Sequence, residues 1–360
     1  MNPVERAVRK VDAVQRRHMP AAFVVGVVKK YGDDHGGVLV ANLAFSAFIS
    51  LFPLLLILTT ALGLTAALDP AFKAEALKAV GDQFPVIGHQ LTGKVHELQR
   101  SSVIGLIVGL AGLIWGATGL AQAGLFTMEQ VWNLPGPDRP GFVQRLGRAG
   151  QFLLLLGVGV LATTLVAGLN NYTRNAAIFI ALAEAGAAVV NIGMYAAAFR
   201  LLTPRIVPTR KLLPGAVIGG IAWTLLQFLG TYLVRHFLHS DSAYTIFATV
   251  LALVAWINLA VQLTVYAAEV NVVLARRLWP RSIVQPPLTE ADRASMALQA
   301  LQNQRRAEQR VQVSFNDRGR GTGAPAGTPP APGEVAARGE VAAPARAEIP
   351  LQRGGPGAAG

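Results

Sequence analysis

Cysteine is absent from the 360 residues, which excludes disulfide cross-links, thiolate metal sites and cysteine nucleophiles while leaving the redox compartment open. Charge is scarce as well. Asp, Glu, Lys and Arg together make 14% of the chain, where a water-soluble domain carries about a quarter. Acids are the scarcer sign, 20 against 32 bases, so the net charge is +12. No GxSxG, HExxH, Walker or CxxC pattern occurs, and the usual catalytic constellations of soluble enzymes are therefore missing. No internal repeat of fixed period is visible, so an inverted-repeat transporter is not supported by the sequence.

What the chain has in abundance is apolar length. Hydrophobic residues make 52% of it and the mean hydropathy is +0.42. Six long apolar runs lie near residues 38–68, 103–128, 149–169, 176–199, 214–234 and 244–275. A hydrocarbon core about 30 Å thick needs ~20 helical residues to cross. Lipid offers no partner to an unpaired backbone group, so each run must be a helix. The fold class expected is all-α, a polytopic integral membrane bundle of six transmembrane helices. The first run starts after residue 30 and is too long for the ~7–15-residue core of a cleavable signal, so it reads as a retained anchor.

Orientation follows from the basic flanks. With both termini in the cytoplasm, the inner side holds Arg6, Arg9, Lys10, Arg16, Arg17, Lys29, Lys30, Arg139, Arg145, Arg148, Arg200, Arg205, Arg210, Lys211, Arg276, Arg277 and Arg281. The outer side holds Lys73, Lys78, Lys94, Arg100, Arg174 and Arg235, the first four balanced by Asp69, Glu75, Asp82 and Glu97. A multi-pass protein of the plasma (inner) membrane is expected. The basic excess is spread over arm, loops and tail, which positive-inside bias and attraction to anionic lipid explain without a nucleic-acid partner.

The organisation expected has four parts. Residues 1–37 form a basic cytoplasmic arm in which Val4, Val8, Val11 and Val14 recur at helical spacing beside Arg and Lys, as an interfacial amphipathic helix or a short solvated one would. Residues 38–280 hold the six spans, with an external helical loop at 69–102. Thr289, Glu290 and Asp292 signal a helix start in the cytoplasmic segment 281–314, the helix running to about Val313. Residues 315–360, rich in Gly, Pro, Ala and Arg, are expected to be disordered.

Within the spans the angular positions of unusual residues matter, since each step turns a helix by about 100°. Gly105, Gly109, Gly112, Gly116 and Gly119 share about 80° of arc, a bare face for close helix packing or for lining a substrate groove. Asn258, Gln262, Tyr266 and Glu269 share a similar arc on the sixth span, and Glu184, Asn191 and Tyr195 share one on the fourth. The two faces are expected to meet in the bundle interior. An intramembrane carboxylate costs on the order of 3 kcal/mol to insert, so Glu184 and Glu269 either mark an ion path or act as structural glue. The first span adds Asn42, Ser46, Ser50 and Pro53 on one side, where Pro53 removes a backbone hydrogen bond and can kink the helix. His18, Asp33, Asp34 and His35 offer acid/base types before the first span, although Asp33-Asp34-His35 after Gly32 also reads as a helix start. His236 and His239 are spaced as a metal pair could be, but a lone pair is a weak pattern, as are His89 and His96 in the outer loop.

The order of residues resembles a known family. Val40-Ala41-Asn42-Leu43-Ala44-Phe45-Ser46-Ala47-Phe48-Ile49-Ser50-Leu51-Phe52-Pro53-Leu54-Leu55 is similar to the opening pattern of the YihY/BrkB inner-membrane proteins, formerly labelled ribonuclease BN. Trp132-Asn133 then follows, as do Leu213-Pro214-Gly215-Ala216 with Trp223, Phe228 and Tyr232, then Tyr244, Leu253 and Trp256, and finally Ala268-Glu269-Val270-Asn271. The resemblance covers residues 30–280 and departs from the pattern at Ala44-Phe45, at Ala267-Ala268 and after Tyr244. Glu269 and Asn271 are the positions it carries over.

The function expected is transport: a permease or exporter of an envelope-related or small charged solute, with the first, fourth and sixth spans forming a polar interior. A membrane-linked hydrolase or ribonuclease and a non-transporting envelope scaffold are the alternatives. Anionic lipids of the cytoplasmic leaflet are the expected partners, with a homo-oligomer left open. No cofactor, metal or catalytic residue is assigned.

Overall fold

The computed structural model describes residues 3–65, 103–172, 177–237, 243–285 and 287–315. The segment 69–102, expected to be an external helical loop, with His89 and His96, the residue His239 and nearly all of the tail lie outside them, as do the side chains of Glu184 and His236 and the surroundings of Gly105. Residues 1–313 form one unit, and Ser314 begins another.

Every regular element among the described residues is helical. Two short helices, α1 (Pro3–Arg17) and α2 (Met19–Asp33), precede six long ones: α3 (Gly36–Thr65), α4 (Val103–Val131), α5 (Phe142–Tyr172), α6 (Ala177–Leu202), α7 (Leu213–Phe237) and α8 (Ala243–Arg276). A last helix, α9 (Glu290–Gln302), follows. Long helices form here because the runs are apolar on all sides and satisfy their own backbone groups. Among the described residues five windows are long and apolar enough to cross a membrane: Gly36–Pro53, Gly109–Val131, Ala185–Leu202, Leu213–Gly230 and Val250–Arg276. The run at 149–169, expected to be a sixth span, lies within the 31-residue α5, much of whose side-chain detail is outside the described set. The chain is a multi-pass membrane protein.

The six long helices close into a ring. Each packs on its neighbours in the order α3, α4, α5, α6, α7, α8, and α8 returns to α3 while also touching α4. The α2 helix lies against α8 and α3, and α1 lies against α2. Large apolar side chains such as Phe45, Phe52, Ile114, Trp115, Leu154, Val189 and Leu225 are exposed around the ring, as a lipid-facing surface requires.

The glycine face of α4 is a packing face where it can be followed. A Cβ at Gly112 would sit 3.1 Å from the Pro53 side chain, and one at Gly116 would sit 3.1 Å from the Ser50 backbone. Pro53 therefore presents its ring to α4 in place of a hydrogen bond, with α3 continuous around it. Gly109 is buried, but Gly119 is exposed with open space where a side chain would be, so the face does not extend the full length. Helices α7 and α8 approach more closely still at Gly215, where a Cβ would overlap the Ala267 carbonyl. There the Gly215 N–H donates to Asn271 Oδ1 at 2.7 Å, joining two of the segments on which the family resemblance rests.

The start of α9 is the one the sequence signals: Thr289 Oγ1 accepts from the Asp292 N–H and Asp292 accepts from the Thr289 N–H, a reciprocal cap. Its end is not. The helix was expected to reach Val313 and stops at Gln302, because the Gln304 carbonyl accepts from the Gly136 N–H at 2.8 Å and draws the chain onto the α4–α5 turn.

The arm also docks by an unexpected face. Asp12 and Gln15 of α1 are buried while Val11 and Val14 are exposed. Asp12 accepts from the Ile283 N–H at 2.8 Å, and Gln15 Nε2 donates to the Arg281 carbonyl at 2.8 Å. The polar face is thus the internal one, and the valines are left for the surroundings.

Candidate functional site

Where α2, α4 and α8 converge, three ionisable side chains come together out of contact with water, with the half-buried Arg276 beside them. Lys30 and Glu269 are fully buried, and Asp34 nearly so. Lys30 is one helical turn before Asp34, and its Nζ donates to the Asp34 carboxylate. The same Nζ donates to the Val131 carbonyl at 3.1 Å and lies 3.6 Å from Glu269 Oε2. That last distance is an ion pair but too long for a hydrogen bond. Neither oxygen of Glu269 accepts a hydrogen bond among the described residues. Arg276, two turns further along α8, donates to the Trp132 carbonyl at 3.0 Å.

Local folding accounts for these positions. The last carbonyls of α4 have no partner within their own helix and carry the negative end of its dipole. Lys30 and Arg276 cap two of them, Val131 and Trp132, from two other helices. The chain then turns at Asn133, whose φ of 47° lies in the left-handed region that asparagine tolerates better than most residues. This aims the Asn133 amide at Asp34 Oδ1, 3.0 Å away, while it also donates to the Gln130 carbonyl at 3.1 Å and to Gln302 Oε1 at 3.0 Å. The Trp132-Asn133 motif thus ends a helix and holds an acid in place. His35, with φ 55°, makes the corresponding turn between α2 and α3 and is exposed.

Two aromatic rings close one side of the centre. Tyr31 stacks on Tyr266 with centroids 4.3 Å apart and planes at 19°. Burial, then Tyr266 and Glu269, push the Tyr31 hydroxyl above its ordinary pKa.

A second ionic layer lies beside the centre, built on Asp33, Arg281 and Asp292. Arg281, itself buried, holds Asp292 at 2.9 Å and Asp33. Asp292 also accepts from Ser282 and Thr289. Burial works to raise the Asp292 carboxyl, but these hydrogen bonds outweigh it and hold it well below the usual carboxylate range. Gln299 donates to the Asp33 carbonyl at 2.7 Å and Gln302 reaches both Asn133 and Gln130. Helix α9 is therefore hydrogen-bonded to the end of α2 and to the α4 turn that carry the centre.

The expected polar faces are placed differently from the sequence reading. Tyr266 and Glu269 face α2, where Tyr31 and Lys30 wait, and do not meet the α6 face. The α6 face finds other partners: Asn191 donates to Thr224 Oγ1 at 3.0 Å and Gln227 Oε1 at 3.4 Å on α7, and the Tyr195 hydroxyl pairs with Thr264 Oγ1 at 2.9 Å on α8. Thr264 lies on the side of α8 away from Gln262, so the two expected stripes occupy opposite sides. Asn258 and Asn42 are exposed, Gln262 is half-buried, and Ser46 returns its hydroxyl to the Asn42 carbonyl.

Sequence reasoning took Lys30 for a flanking charge, weighed Asp34 as an acid/base type or helix start without pairing the two, and omitted Glu129. The signal available for the first pair was their i, i+4 spacing, which favours an ion pair on one helix face. Glu129 is buried at the end of α4 and accepts from Arg145 Nη2 at 2.8 and 2.9 Å, and an acid inside an apolar run could have been noticed.

The chain is 22% identical over 272 residues, 71% of its length and 96% of the relative's, to a protein of Bacillus subtilis (strain 168) named ribonuclease-like protein YfkH. No solved structure matches it. The sequence profile described as Virulence factor BrkB matches residues 27–289, a stretch that contains α3 to α8 and every member of the buried ionic centre, and the chain belongs to that family.

Proposed function

We propose that the protein is a transporter of a small charged or envelope-related solute. On this reading α5 supplies the sixth span, both termini are cytoplasmic and the membrane is the plasma (inner) membrane. The observation that supports it is Glu269, a carboxylate removed from water, paired with Lys30 at 3.6 Å and given no hydrogen bond by the described residues. The groups that face it are Lys30, Asp34 and Tyr31, with Arg276 beyond. Buried ionisable groups of this kind are retained in membranes at a cost, and they recur in proton and ion relays.

The mechanism proposed is exchange of a proton or ion at Glu269, altering its attraction to Lys30. Because Lys30 also holds Asp34 and the end of α4, a change of charge at Glu269 acts on three helices at once. The Asn191–Thr224–Gln227 and Tyr195–Thr264 contacts supply polar groups deeper in the ring for a solute to meet.

The competing reading, hydrolysis of RNA, comes from the name of the relative. In this chain Asp34 is held by Lys30 and Asn133, and Asp33 by Arg281, and the place a cation would take between Asp34 and Glu269 is filled by the Lys30 ammonium. RNA breakdown by purified protein, lost on Asp34→Asn or His35→Ala, is the result that would favour it.

The test of transport is purified protein in liposomes carrying a pH-sensitive dye, with proton or sodium gradients imposed. Movement by the wild type that collapses in a folded Glu269→Gln variant is the expected result. No movement by the wild type under any gradient sinks coupled transport.

A further inference from the structure

A second charged centre lies at the corner where α5 begins and α6 ends, apart from Glu269. Among the described residues Glu129 is its single acid, and Arg145 binds it with two hydrogen bonds while Arg139 stands 3.8 Å away. Three guanidinium groups remain. Arg148 sits one turn after Arg145 on α5, Arg200 in the last turn of α6 and Arg205 in the loop beyond. The charges of Arg205 and Arg200 both bear on Arg148 and outweigh the weaker, opposite pull of Glu129. Arg200 spends one hydrogen bond on a neutral acceptor, the Val207 carbonyl, at 2.7 Å. Arg148 Nη1 is buried and has no acceptor among the described residues. Thr203, one turn past Arg200 and 1% exposed, likewise has a hydroxyl without a partner.

Like charges held together with a buried donor unspent are the arrangement that an anion completes. Guanidinium groups favour a phosphate, whose oxygens accept their paired N–H groups. The first turn of α5 adds the positive end of a helix dipole. Beside the corner, α5 exposes Phe142 and Val143 in its first turn, and Leu154 and Val158 continue an exposed apolar track on the Val143 side. A free phosphate has no use for such a track, whereas an acyl chain does. Basic pockets at the ends of membrane helices hold anionic headgroups in this manner.

We infer that Arg148, Arg200 and Arg205 form a binding site for the phosphate of an anionic phospholipid, whose acyl chains lie along the exposed face of α5. This site is independent of the transport reading, since none of its residues touches the Lys30–Glu269 centre.

The experiment is native mass spectrometry of the full-length protein released from micelles containing phosphatidylglycerol or phosphatidylcholine, with an inorganic-phosphate arm. Wild type retains phosphatidylglycerol over phosphatidylcholine, and Arg148→Gln weakens that retention by about tenfold or more, the worth of one charge-assisted hydrogen bond. Arg205→Gln, at an exposed position, weakens it without touching a buried contact and so guards against misfolding of the first variant. Equal retention of the two lipids overturns the proposal, as does retention unchanged in both variants. Inorganic phosphate binding at this corner without lipid preference overturns the lipid assignment.

Discussion

Replacing Lys30 by methionine removes the cation on which the buried centre depends while keeping its aliphatic length. Two carboxylates and the end of α4 are then left without it. For the Lys30–Glu269 separation of 3.6 Å, an effective dielectric constant near 20 gives a Coulomb attraction of about 4 to 5 kcal/mol. Breaking a buried pair from one side costs a comparable ~3–5 kcal/mol, because the surviving charge stays buried. Lys30→Met should therefore lower unfolding free energy by about 3–5 kcal/mol, a drop of at least a hundredfold in the folded-to-unfolded ratio. Glu269→Gln alone should cost less, since Lys30 keeps Asp34. The double variant should be milder than the sum of the two, with a coupling of about 2 kcal/mol for groups in direct contact. Equilibrium unfolding in mixed micelles titrated with dodecyl sulfate, followed by tryptophan fluorescence, measures all three. A Lys30→Met variant within about 1 kcal/mol of wild type, or strict additivity in the double, would refute the reasoning.

Further outcomes follow from other contacts. Gly215→Ala should destabilise the protein severely, because the new Cβ would collide with the Ala267 carbonyl; thermal unfolding in detergent reads this, and Gly119→Ala, in open space, should be harmless. Thr289→Ala should loosen α9 by about 1 kcal/mol through loss of its cap, seen as faster hydrogen exchange over Glu290–Gln302. Asp292 is held below its ordinary pKa, so its contribution is complete above the unfolded value of about 4 and is lost as pH falls below it. Proteolysis of the 281–302 segment should accordingly rise on acidification below that value, and Asp292→Asn should abolish the acid dependence while raising cleavage at neutral pH. Asn133→Ala should loosen Asp34 and Gln302 together, though Lys30 and Gln130 still hold them, detected as increased exchange in both α9 and the end of α2.

The helices of the ring were legible because membrane crossing demands long apolar runs, and nothing about tertiary packing is needed to see them. The Thr289 cap was legible for the same reason: it is a local arrangement of three residues. The partners of each polar face were not. Periodicity says that Tyr266 and Glu269 share a face, but it does not say which helix that face meets, and the ring places α2 there in place of α6. The pairing of Lys30 with Asp34 escaped notice because α2 is too short to span a bilayer and Lys30 resembles an ordinary flanking charge. Their burial arises from docking against α8 and the end of α4, a long-range event with no local signature. The end of α9 was misplaced for a similar reason, the pull of Gly136 on Gln304 being invisible along the chain.

The capping of α4 by side chains from α2 and α8 has a mechanical side. A helix end fastened to two others by Lys30 and Arg276 cannot slide along them without giving up its terminal hydrogen bonds, yet it can swing about that point. Relative motion of these three helices thus has its pivot beside the ionic centre, where displacement is smallest, and its largest excursions far from it. On the transport reading proposed above, a solute approaching from the distant side would meet helices free to spread, and one approaching from the near side would meet the knot and α9 beside it.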